Sequence, residues 1–80
     1  MADATHLLKR RATLATRASA SATIAKAHLE EAMLHASHAR ADSAGADLAN
    51  AVATVLRAIS RAEAHRRRLL KKVDRAEQGA

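Results

Sequence analysis

The sharpest pattern of apolar positions lies between residues 48 and 76. Leu48, Val52, Val55, Ile59, Ala62, Arg66, Leu69, Val73 and Ala76 follow one another at alternating steps of four and three residues. On an α-helix that spacing aligns them along one seam. In heptad notation (abcdefg), Val52, Ile59, Arg66 and Val73 occupy a, while Leu48, Val55, Ala62, Leu69 and Ala76 occupy d. A seam this narrow is buried only when another helix packs against it.

The first half of the chain is also helical in pattern but less sharply sided. Leu7, Leu14, Ala18, Ala22, Ala25, Leu29, Met33 and Ala36 form a stripe that drifts towards an eleven-residue repeat through Leu7, Ala18 and Leu29. Such a repeat favours a straight or slightly right-handed helix. Between Ala18 and Thr23 every residue is small.

Turn residues cluster once, in Asp42-Ser43-Ala44-Gly45-Ala46-Asp47. Gly45 can supply the left-handed residue that ends a helix, and Asp47 or Ser43 can cap the next one. A lone glycine costs only about 1 kcal/mol inside a helix, so one continuous rod is the rival reading. The hairpin is favoured because folding at residues 44–45 brings Met33 to Leu56, Leu29 to Ile59 and Leu14 to Val73 or Ala76. The large apolar residues of both helices then meet at matching heights. The reading is therefore all-α: one helical domain over residues 1–80, with helices at about 4–41 and 48–77 and a turn at 42–47. The architecture is an antiparallel, coiled-coil-like hairpin that assembles into a helical bundle.

Composition bears on how such a hairpin is stabilised. The chain has 80 residues, no aromatic residue, no Pro, no Cys and two Gly, and alanine makes up more than a quarter of it. Alanine, leucine, arginine, lysine and glutamate are strong helix formers, but the side chains that bury most area are missing. At this length a single core is barely sufficient, so assembly is expected to supply part of the stability. Without cysteine there is neither a disulfide framework nor thiolate chemistry. Lys9, Arg10 and Arg11 interrupt the start before any apolar stretch, so no signal peptide is expected. No apolar run approaches the ~20 residues of a membrane span. A cytoplasmic or assembly-associated location is the expectation.

The formal net charge is +6. Arg57, Arg61, His65, Arg66, Arg67, Arg68, Lys71, Lys72 and Arg75 crowd the second helix, and Arg57, Arg61, Arg68, Lys72 and Arg75 fall roughly opposite its seam. In a hairpin, Lys9, Arg10, Arg11 and Arg17 join them at the open end. A basic pole of this kind attracts polyanions. Arg57, Arg61, Arg67, Arg68, Lys71, Lys72 and Arg75 are the candidate contacts. The absence of aromatics argues against readout of stacked bases. A solvated face that complements the helix C-terminal dipole is the plainer account of the same charges.

His28, Glu31, His35, His38 and Asp42 share a helical stripe. His35 and His38 are close enough to share a metal ion with Glu31 or Asp42. The stripe lies away from Leu29 and Met33 and lacks the paired Glu-x-x-His pattern of di-iron bundles, so it reads as a solvated polar face and no metal is assigned. Protonating the five histidines would carry the net charge from +6 towards about +11. Assembly should weaken on acidification if this stripe meets another basic surface.

Catalysis has no support: there is no Gly-rich phosphate loop, no cysteine, and no nucleophile–base pair that two helices could preorganise inside a concave pocket. The expectation is a small non-enzymatic helical interaction protein, a structural, adaptor or chaperone-like subunit of a larger assembly. It would bind itself or another helical protein through Leu48, Val52, Val55, Ile59, Ala62, Leu69 and Val73, together with Leu29 and Met33. The alternative is a basic helical dimer that binds DNA or RNA. Neither a cofactor nor a small-molecule substrate is expected. In outline such a hairpin is similar to the short helical hairpins of bacterial secretion machines and phage particles, a likeness of shape alone. The Pro-containing loop of secretion-needle subunits is absent.

Overall fold

Two 37-residue helices, α1 (Ala2–His38) and α2 (Asp42–Gln78), pack side by side as an antiparallel hairpin. The computed structural model describes the backbone of residues 2–79 and the side chains of residues 4–79. The molecule is a rod of 61 × 13 × 12 Å, with a radius of gyration of 18.0 Å. A compact chain of this length would have a radius of about 12 Å.

The reversal occurs at residues 39–41, just ahead of the 42–47 segment in which the turn residues cluster. Arg40 adopts φ 56°, the left-handed conformation. Its N–H donates to the Ser37 carbonyl at 3.1 Å, and the Ala41 N–H donates to the Ala36 carbonyl at 2.9 Å. These two bonds make a Schellman C-cap, with arginine at the position that usually takes glycine. Gly45 is helical, and its N–H donates to the Ala41 carbonyl at 2.9 Å. Ala41 is the N-cap residue of α2 and makes no side-chain capping bond. Asp42 lies in the first turn of α2, where its charge complements the helix dipole.

The α2 seam faces α1. Leu48, Val52, Val55, Ile59 and Ala62 are half-buried, and Leu69 and Val73 are buried. The inward face of α1 is a strict heptad: Thr5, Leu8, Ala12, Ala15, Ser19, Ala22, Lys26, Leu29, Met33 and Ala36, at steps of three and four. Ala22, Leu29, Met33 and Ala36 belong to the stripe expected from sequence. Leu7 and Leu14 do not face inward and stand 45% and 49% exposed, and Ala18 and Ala25 are exposed as well. A partner with a 3.5-residue period keeps contact along the whole seam only if its neighbour keeps the same period. An eleven-residue stripe drifts off the seam.

The heptad therefore brings Thr5, Ser19 and Lys26 to the interface, where all three are only half-buried. Lys26 extends its ammonium to Glu30 Oε1 at 3.1 Å and keeps its head at the surface. The Ser19 hydroxyl donates to Glu63 Oε1 of α2 at 3.4 Å.

Counting outward from the turn, the heptad layers set Leu29 level with Val52, Met33 with Leu48, Ala22 with Ile59, Ala12 with Leu69 and Leu8 with Val73. Leu29 is thus one heptad away from the level of Ile59 expected for a turn at 44–45. In several layers a small residue of α1 sits against a larger one of α2, which lets the helices approach closely. The buried residues Ala12, Leu69 and Val73 all lie towards the open end. There Lys9 Nζ also meets Glu77 Oε1 at 2.8 Å, joining the two helix ends. That pair is more than half exposed on both sides and contributes a few tenths of a kcal/mol.

Candidate functional site

Two surfaces remain once the hairpin has closed. The first is the rim of the seam itself. Only Ala12, Leu69 and Val73 are buried among the apolar side chains described, so the rest of the interface stays partly open along its edges. Of the residues read as a partner-binding seam, Leu29, Met33, Leu48, Val52, Val55, Ile59 and Ala62 are half-buried, while Leu69 and Val73 are enclosed by the hairpin. Antiparallel pairing sets the e positions of the two helices along one edge, as Lys9 with Glu77 shows. The g positions line the other edge. On α1 these include Ala18, Ala25 and Ala32, and on α2 Ala51 and Ala58. This second edge is alanine-rich and uncharged in its middle.

On the e edge an open groove of about 390 Å³ is lined by Thr16, Ser19, Ala20, Glu63, Arg66 and Arg67. Its floor is small because α1 has Ser19 and Ala20 there. Arg66, although at a seam position, is exposed and swings into this groove, which spares the interface a buried charge. The Thr16 hydroxyl is turned back to the Ala12 carbonyl at 3.1 Å.

The second surface is electrostatic. The fold gathers the amino end of α1 and the carboxyl end of α2 at one pole. Ten of the fourteen Lys and Arg residues lie in residues 1–19 and 62–80, with four of the eight carboxylates. The remaining half, including the turn, is balanced, so the whole formal charge of +6 belongs to the open half. Arg57, Arg61, Arg67, Arg68, Lys71, Lys72 and Arg75 are all exposed. The fold does not place them together uniformly: Arg67 stands on the e-edge side beside Glu63, and the others lie on the back and g side of α2.

His35 Nε2 stands 3.8 Å from Glu31 Oε1, one turn away on α1. Among the described residues no three metal-ligating side chains converge. Among the described residues no helix is long and apolar enough to cross a membrane. Leu7 and Leu14, which the sequence pattern places in the interface, are surface residues, and no apolar stripe in the sequence marks the alanine-rich g edge as a surface of its own. Leu8, Ala12 and Ala15, which face α2, lie outside the sequence-predicted stripe; extending the strict α2 heptad to α1 is the signal that would find them. No known protein family, curated protein or solved structure matches the chain.

Proposed function

We propose that this is a small non-enzymatic helical interaction protein, a structural, adaptor or chaperone-like subunit. It would complete its packing by receiving further helices over the half-covered seam. The observation that supports this reading most directly is surface area. The hairpin exposes 6085 Å², whereas a compact chain of 8.5 kDa exposes about 4,700 Å². The excess of roughly 1,400 Å² is comfortably more than the ~800 Å² each partner contributes to a standard interface. Leu7, Leu14, Ile24, Leu34 and Leu56 are among the large apolar side chains left in water.

The alanine-rich g edge suits such docking. Small residues beside an a/d seam widen the apolar face to the three-in-seven pattern of a four-helix bundle and let a second pair approach closely. If the partner is another copy, charge orients it. Antiparallel stacking sets the basic half of each copy beside the balanced half of the other, with the charge centres about 30 Å apart, several screening lengths at physiological salt, whereas parallel stacking would superimpose them.

The decisive variant is Ala25→Glu with Ala58→Glu. Both positions are exposed in the hairpin, so the helices should form as before. Sedimentation velocity over a hundredfold concentration range should show association of the wild type and none of the double variant. A wild type that stays monomeric throughout, or a variant that associates equally well, would refute docking of a second copy on this edge.

A further inference from the structure

Charges on the outer surface of α2 are segregated by sign. From residue 50 onward, the c, f and g positions carry Arg57, Arg61, His65, Arg68, Lys71, Lys72 and Arg75 and no carboxylate. The acids of the same stretch, Glu63, Asp74 and Glu77, all occupy b or e, on the side where Glu77 meets Lys9. Among the described residues, none of these six lysines and arginines has a carboxylate within ion-pair distance; the pairs present use Lys9, Lys26 and His35. Arg57 donates to the Thr54 hydroxyl at 3.1 Å, one turn back on its own helix. The result is a basic ridge, about 27 Å long at 1.5 Å per residue, along the back of α2, which α1 braces from the other side.

We propose that this ridge is a binding surface for the phosphate backbone of double-stranded nucleic acid. The property goes beyond helix docking and rests chiefly on the c and f positions, along the back of α2. Arg61, Arg68 and Arg75 repeat at about 10 Å, and the only apolar residue on the c and f positions between Arg57 and Arg75 is Ala64. Such a row has no shape of its own to match and suits a uniform polyanion. A duplex presents one charge per ~1.7 Å, so roughly sixteen phosphates lie within the length of the ridge. With no aromatic residue in the chain, single strands have nothing to stack on. The ridge also lacks the large apolar side chains with which an interfacial helix enters a membrane. Contacts confined to phosphates carry no sequence preference.

Binding to a duplex of about 30 base pairs, followed by fluorescence anisotropy, should fall with salt at a log–log slope near −5 for six contacts, close to a thousandfold between 50 and 200 mM. Replacing Arg61 and Arg68 by Gln should make that slope shallower by about 1.8. The matched variant Arg10→Gln with Arg17→Gln removes the same charge from the far side of α1, at exposed positions, and should leave the slope nearly unchanged. Equal effects of the two variants would mean bulk charge and no ridge. The proposal is also overturned by absence of binding at 50 mM salt, by tighter binding to a single strand than to the duplex, or by binding to phosphatidylserine vesicles without binding to the duplex. Circular dichroism of each variant confirms that the helices persist.

Discussion

Exchanging the roles of Arg40 and Gly45 should stabilise the hairpin, and the sign of the change tests where the chain reverses. Arg40 holds φ 56°, a conformation that costs a non-glycine residue about 1–2 kcal/mol. Glycine removes that strain but loses more entropy on folding, which offsets about 0.4–1 kcal/mol. Arg40→Gly should therefore stabilise by roughly 0.5–1 kcal/mol. Arg40→Ala removes the same charge and keeps the strain, so the difference between the two isolates the backbone effect. Gly45 lies inside α2, and a Cβ added there meets nothing within 4 Å. Gly45→Ala should gain a further ~0.5–1 kcal/mol in helix propensity. For a domain of this size each kcal/mol moves the melting temperature by about 4–8 °C. Thermal unfolding by circular dichroism, at one fixed protein concentration because any self-association would also shift the midpoint, should show an upward shift for each substitution. A turn at residues 42–47 with Gly45 as the left-handed residue reverses both signs: Arg40→Gly would then place glycine mid-helix, and Gly45→Ala would force alanine to positive φ. Two downward shifts would refute the Schellman turn at residues 39–41.

Other perturbations address the faces of the helices. Leu69→Ala removes one of the few enclosed side chains and should cost about 2–3 kcal/mol, enough to unfold a marginal hairpin well below the wild-type midpoint. Leu14→Ala, at a residue half exposed to water, should cost under ~1 kcal/mol in the isolated hairpin; a loss as large as that of Leu69→Ala would mean that Leu14 faces α2. Lys26 occupies a seam position with its side chain 29% exposed, and Lys26→Met should raise stability by about 1 kcal/mol through added apolar burial. A lower midpoint for Lys26→Met in urea unfolding would show that the Glu30 pair outweighs burial there.

Much of this fold is carried by local pattern. The strict repeat from Leu48 to Val73 specifies a helix and specifies which side of it is buried, because 3.5-residue periodicity is a property of one segment and needs no partner to be recognised. Two helices with one reversal between them follow from length and from the absence of any other cluster of turn residues. Charge at the open end follows from the same hairpin connectivity.

Three features were decided only by the packed structure. The inward face of α1 is set by α2: apolar residues lie on several sides of α1, and the side that keeps step with the α2 heptad is buried even though it carries Thr5, Ser19 and Lys26. The position of the turn is not encoded by residue type, since an arginine takes the left-handed position while Gly45 stays helical. Register follows from the turn and from nothing else in the seam. A heptad shifted by seven residues presents the same a and d positions, so Leu29 can stand level with Val52 or with Ile59 at little difference in apolar matching. The chain is a repeat, and repeats specify a face and leave their own alignment degenerate. A short Schellman reversal closing on Ala36 and Ser37 removes that degeneracy, and with it places every side chain along the 61 Å rod.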